Sequence, residues 1–201
     1  MRFFASILIL SLGCLSHPAG AQEPARPKEP KEQIQPPQAR PRASTLDELF
    51  ERLGKAQSER EAEGIAALIE RRFARSGSDT ADLLLNRAAE AFGKKDFPLA
   101  IELIDRVLAL QPNWAEAWYK RATVFYQLDD PVGAMADLHR AITIEPRHFN
   151  AWTGLGHILM ASDDKARALQ AYRRVLTINP QMSDVKTIVN RLGPGVDGQD
   201  L

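Results

Sequence analysis

Residues 116–146 read EAWYKRATVFYQLDDPVGAMADLHRAITIEP, and residues 150–180 read NAWTGLGHILMASDDKARALQAYRRVLTINP. Laid over each other at a step of 34 residues, they set Trp118 on Trp152, Ala122 on Gly156 and Phe125 on Leu159. The same step sets Ala134 on Ala168, Leu138 on Tyr172, Ala141 on Val175 and Pro146 on Pro180. One step back, the columns continue through Leu84, Ala88, Ala91, Ala100, Ile104, Val107 and Pro112. Columns held through three copies without a gap are the mark of a repeat architecture, in which each unit buries its apolar face only against its neighbours.

Each copy reads as two helices. In the middle copy Trp118, Ala122 and Phe125 fall at helical spacing, and Asp129-Asp130-Pro131 then stops that helix and starts the next. Asp130 supplies an N-cap oxygen and Pro131 a first helical residue that needs no N–H partner. Ala134, Leu138, Ala141 and Ile142 form the apolar stripe of the second helix, which Pro146 ends. Asp96 and Asp164 hold the equivalent cap positions. Small residues in the Ala88 and Ala100 columns let paired backbones approach, so bulk there would pry them apart.

These residues resemble the tetratricopeptide repeat (TPR) family. Its Trp-Leu-Gly-Tyr-Ala-Phe-Ala-Pro signature is matched by Trp152, Leu155, Gly156, Leu159, Ala168, Tyr172, Val175 and Pro180. The departures are Arg87 and Arg121 in place of Leu, and Leu84 in place of Trp. The resemblance implies an all-α fold, a right-handed α-solenoid of helix-turn-helix repeats over 81–114, 115–148 and 149–182. Before them lies a worn copy: Phe50, Leu53, Gly54 and Ala66 fit the columns, whereas Glu70, Phe73 and Ser78 break them. Its second helix therefore cannot close on a third in the usual way. Ser44 and Ser58, each followed three residues on by an acid (Asp47, Glu61), read as helix starts. Residues 44–80 are expected to be a degenerate N-terminal cap. Residues 183–193, with Val185, Ile188, Val189 and Leu192, are expected to be a C-terminal capping helix stopped at Gly193-Pro194 before a flexible tail, 194–201.

The flanks point to export. Arg2 precedes an apolar run from Phe3 to Leu15, and Ala19-Gly20-Ala21 fits a cleavage site, so 1–21 reads as a signal peptide cut after Ala21. That run is too short to span a bilayer, so no stable transmembrane anchor is expected after cleavage. Ser11 stands where a lipobox before Cys14 wants Leu, so a lipoprotein is not expected. Six prolines among charged residues make 22–43 a disordered Pro-rich linker. After cleavage no cysteine remains, which suits an oxidising compartment. The signal, the linker and the runs at 75–84 and 114–118 together resemble periplasmic TPR proteins of alphaproteobacteria linked to cell-envelope integrity.

With 26 basic and 26 acidic side chains in 201 residues, and no basic stripe, the chain is not built to bind nucleic acid. His139, His148 and His157 are nine apart, which matches no metal-ligand spacing, and they read as ordinary surface or groove histidines. No catalytic constellation is present, and no metal or cofactor is expected. What remains is a surface. The TPR resemblance implies a concave groove lined in the first copy by Asp82, Leu85, Ala89, Phe92 and Gly93. The second copy gives Glu116, Tyr119, Thr123, Tyr126 and Gln127, and the third Asn150, Thr153, His157, Met160 and Ala161. Leu85, Ala89, Thr153 and His157 stand where a carboxylate clamp needs Lys, Asn or Arg, so such a clamp is not expected. The expectation is a non-catalytic periplasmic scaffold that takes a protein or peptide partner in its groove and supports envelope assembly or integrity, with envelope-associated proteins as candidates. The alternative is an accessory that binds peptidoglycan or glycan and recruits a cell-wall enzyme, with Trp114 and Asn113 as a stacking platform.

Overall fold

The computed structural model describes residues 44–198. The expected signal peptide with Cys14, the Pro-rich linker and residues 199–201 lie outside them. Among the described residues there are nine helices and no strand: α1 (Leu46–Gly54), α2 (Glu59–Phe73), α3 (Asp79–Gly93), α4 (Phe97–Leu110), α5 (Ala115–Gln127), α6 (Pro131–Ile144), α7 (Phe149–Ala161), α8 (Lys165–Ile178) and α9 (Ser183–Asp197). None of these helices is long and apolar enough to cross a membrane. The pairs α3–α4, α5–α6 and α7–α8 stack in succession, and α9 closes on α8.

The 34-residue step is visible in the backbone. Lys95, Asp129 and Asp163 all adopt left-handed φ values of 61°, 60° and 57° at the turn inside each pair. The next residue, Asp96, Asp130 or Asp164, donates its N–H to Ala91, Phe125 or Leu159 at 2.9 Å. Its side chain then caps the second helix by accepting from Leu99, Gly133 or Arg167. A second staple ties each pair to the one before it. The indole N–H groups of Trp118 and Trp152 donate to the carbonyls of Pro112 and Pro146 at 2.9 and 3.0 Å. That bond links the Trp and Pro columns, and Leu84 stands in the copy with no repeat before it to staple.

Two differences between the repeats have partners. A Cβ at Gly156 would meet Tyr172 Cε1 at 2.6 Å, so the ring that replaces Ile104 and Leu138 in its column is matched by loss of the methyl in Ala88 and Ala122. Arg121 sits where Leu155 stands one repeat on. It makes a two-pronged pair with buried Asp137 (2.7 and 2.8 Å), reaches Asp105 at 2.6 Å, and lies over the Trp118 ring.

The ends differ from expectation. Thr45, not Ser44, caps α1, in a reciprocal capping box with Glu48. Helix α9 does not stop at Gly193-Pro194 but runs through Pro194 to Asp197. Proline holds a helical φ, and the residue before it, being glycine, lacks the Cβ that would clash with the ring. The larger correction concerns 44–80. α1 and α2 pack on each other, but they do not cap the first repeat. Leu83 on α3 is 52% exposed, whereas its counterparts Ala117 and Ala151 are fully buried against the preceding pair. The apolar residues of α1–α2 instead join the cluster that runs through α5–α9, with Leu49, Phe50, Leu53, Ile65, Ile69 and Phe73 in one cluster with Phe149, Tyr172 and Ile178. The first repeat has its own cluster around Ala88, Ile104 and Val107. Where Phe73 and Glu70 break the repeat columns, they find partners on α7 and in the turns before α5 and α7.

Candidate functional site

The hairpin α1–α2 lies across the N-terminal ends of α5, α7 and α9, and one side of α2 is left facing α3 and α5 across open space. The resulting cavity has a volume of about 720 Å³. Ala67, Glu70 and Arg71 of α2, with Ala74 just past its end, form one wall. Leu85, Asn86, Ala89 and Phe92 of α3 face them, and Glu116, Tyr119, Lys120 and Thr123 of α5, with Asn150, add to the lining. An apolar side (Leu85, Ala88, Phe92, Ile104, Val124) thus confronts a polar floor, the usual make-up of a site that orients a ligand through a few polar groups.

The floor is electrostatically set. Glu116 is 8% exposed and binds His148 Nε2 and Lys120 Nζ, both at 3.1 Å. Burial opposes its charge, but the hydrogen bond from His148 and the Lys120 ammonium outweigh burial and hold the carboxyl below its ordinary value. Burial likewise opposes the Lys120 charge, and the facing Glu116 carboxylate more than offsets it, so the ammonium titrates above its usual range. His148 is fully buried. Its Nδ1 accepts the Ala151 N–H at 3.2 Å, so the proton sits on Nε2, which donates to Glu116. The ring is held between Phe73 (stacked, 4.7 Å) and Tyr119 (tilted, 5.0 Å). Tyr119 is pushed up in pKa, chiefly by burial.

Comparison with known proteins places this geometry. Family models described as tetratricopeptide repeat match residues 87–154 and 125–192. Residues 87–192 belong to the tetratricopeptide repeat family. A TPR repeat-containing protein of Rhizobium etli is 34% identical over 93 residues, 46% of this chain and 46% of that protein, so the match spans less than half of the relative. Among solved structures, the first TPR domain of Spaghetti (RPAP3), bound to the HSP90 peptide SRMEEVD, superposes with a TM-score of 0.56. It is 18% identical and covers 60% of this chain and 95% of that one. The Sgt2 TPR domain from Aspergillus fumigatus gives 0.55 at 20% identity over 61% of this chain and 83% of that chain. The TPR2B domain of yeast Sti1, in complex with an Hsp70 peptide, gives 0.54 at 20% identity over 59% and 99%. At these identities the likeness shows the TPR fold.

Within the TPR frame, the expected groove residues separate into three groups. Leu85, Ala89, Phe92, Tyr119 and Thr123 line the cavity, with Asn150 at its edge. Glu116 also lines it, and Asn150 spends its amide on Glu70 of α2 at 2.9 Å. Tyr126 and Gln127 line a separate shallow pocket with Ile158 and Ala161. Three of the third repeat's positions are spent on the fold. Thr153 donates to the Phe149 carbonyl, His157 Nδ1 bonds the Tyr172 hydroxyl at 2.8 Å, and Met160 packs on the larger apolar cluster. Asp82 is bound by Ser76 and Arg75 beside the α2–α3 link. His148 is neither a surface nor a groove histidine but a buried N-cap. Trp114 is 8% exposed and its indole N–H is bound to the Phe73 carbonyl, so it offers no stacking platform for a glycan. Among the described residues no three His, Cys, Asp or Glu converge to hold a metal. Arg147, which sequence reading missed, and Trp114 and His148, to which it gave other roles, occupy turns between TPR units. Their one sequence signal was that α2 breaks the repeat columns at Glu70 and Phe73.

Proposed function

We propose that this chain is a non-catalytic protein-interaction scaffold of the periplasm that binds a protein segment in the cavity between α2, α3 and α5, and so supports cell-envelope assembly or integrity. The observation that carries the reading is the cavity itself, lined by the first helices of two successive TPR units, with apolar Leu85 and Phe92 opposite Tyr119, Thr123 and Lys120. TPR domains of similar fold take HSP90 and HSP70 peptides. The cavity suits a different segment from theirs, because Leu85 and Ala89 offer no cation and Lys120 is already paired with Glu116. A segment with one or two apolar side chains flanked by neutral polar groups fits the lining. The export reading rests on Arg2, the apolar run and Ala19-Gly20-Ala21.

Ala89→Arg tests the site. Ala89 is exposed on α3 and lines the cavity, so the longer side chain fills the space without entering the core. A partner crosslinked and recovered from envelope extract by the parent should be lost by the variant, with helicity unchanged. Equal recovery would place binding elsewhere, and recovery from cytoplasmic but not envelope extract would refute the location.

A further inference from the structure

The contacts that hold α1–α2 come from one repeated place. The turns leading into α5, α7 and α9 are 34 residues apart, and each grips the hairpin. Trp114 donates its indole N–H to the Phe73 carbonyl at 2.7 Å, and His148, its equivalent one repeat on, stacks on the Phe73 ring. Arg147 lies 4.3 Å over the Phe50 ring and donates to Asp47 at 2.7 Å. Gln181, the equivalent of Arg147, donates to the Ala56 carbonyl at 3.0 Å, and Ser183 bonds Glu59. Between these polar contacts, Leu53 and Ile69 are fully buried in the cluster they share with Phe149 and Tyr172.

We propose that these three turns form a binding surface for a helical hairpin with an acidic edge, and that α1–α2 of a second copy can take it in place of the chain's own. The gripping contacts named above join residues 41 to 125 apart in sequence. Only the link Ala74–Ser78 therefore ties the hairpin to its own stack. That link has Gly77 at φ 85°, and Ser76 is fastened to Asp82 on the α3 side, so its hinge lies next to the hairpin. Short hinges joining an element to a seat of this kind favour exchange between copies. Chemistry selects the occupant: Asp47, Glu59 and Glu70 meet Arg147, Ser183 and Asn150, and Phe50 and Phe73 meet a guanidinium and an imidazole ring. The rim pair Asp47–Arg147 is exposed and screened, so it directs pairing more than it locks it. The seat shares Glu70 and Asn150 with the cavity, whose α2 wall moves with the hairpin, but it does not depend on what the cavity binds.

Hydrogen exchange of the chain from Gln22 to Leu201 should show the α1–α2 amides exchanging together, about tenfold or more faster than those of α5–α8. A labelled peptide of residues 44–78 should bind the Leu53→Asp/Ile69→Asp chain about tenfold or more tightly than the parent, whose seat is filled. Arg147→Asp in the released chain should abolish that gain, and a peptide carrying Asp47→Arg should restore it. Three results would each overturn the proposal: hairpin amides as protected as those of α5–α8, collapse of α3–α9 helicity in the released chain, or no peptide binding by a chain that keeps that helicity.

Discussion

At Gly156 a single added methyl would press on a buried ring that has no room to turn, since Tyr172 is 1% exposed and its hydroxyl is bound to His157. Overpacking of this kind costs about 1–3 kcal/mol, against about 1 kcal/mol gained in helix propensity when Gly becomes Ala. Gly156→Ala should therefore lower unfolding stability in urea by about 1 kcal/mol. In a Tyr172→Leu background the same change should be neutral or stabilising, because Leu138 already tolerates Ala122 in that column. Additive effects would contradict the pairing. Glu116 makes a second prediction at this scale. Its pKa is lower in the folded chain than its ordinary 4.5, so its contribution is full above pH 4.5 and is lost as pH falls through the lower folded value. Glu116→Gln should be less stable than the parent at pH 7, and the gap should close in acid. A gap that stays constant with pH would mean that the charge is not what matters there.

Between elements, α5 and α6 are joined by an ion pair where the next repeat uses hydrocarbon: Arg121 and Asp137 occupy the places of Leu155 and Ala171. Asp137→Leu alone leaves the half-buried guanidinium with Asp105 only and should cost about 1–3 kcal/mol. Adding Arg121→Leu should recover most of the loss, as measured by thermal unfolding. If the double variant is no better than the single, the pair is not what couples the two helices. Elements of this kind were legible in the sequence because their determinants are local. Asp130 and Pro131 start α6 from adjacent positions, and each Trp–Pro staple spans six residues. The stop at Gly193-Pro194 was misread because a glycine before proline removes part of the clash that normally ends a helix.

At the scale of the whole molecule, the TPR stack was legible because each repeat answers to its neighbours 34 residues away, and a column pattern records that. The seat of α1–α2 was not. Its contacts join Asp47 to Arg147 and Ala56 to Gln181, and no period links those positions to the hairpin. Glu70 and Phe73 showed that α2 could not continue the stack, but nothing in one sequence shows where a displaced helix goes. The shared lining of Leu85, Phe92 and Tyr119 was legible through the TPR resemblance, which sets them on one face of successive repeats. Its narrowing to one cavity was not, because α2 makes the missing wall.

A photo-crosslinking residue placed in living cells at Ala89, on the cavity wall, and separately at exposed His139 on α6, tests the binding site most directly. A discrete crosslinked protein from Ala89 and none from His139 is the predicted result. The same product from both positions, or a product from His139 alone, would contradict a partner held in the cavity between α2, α3 and α5.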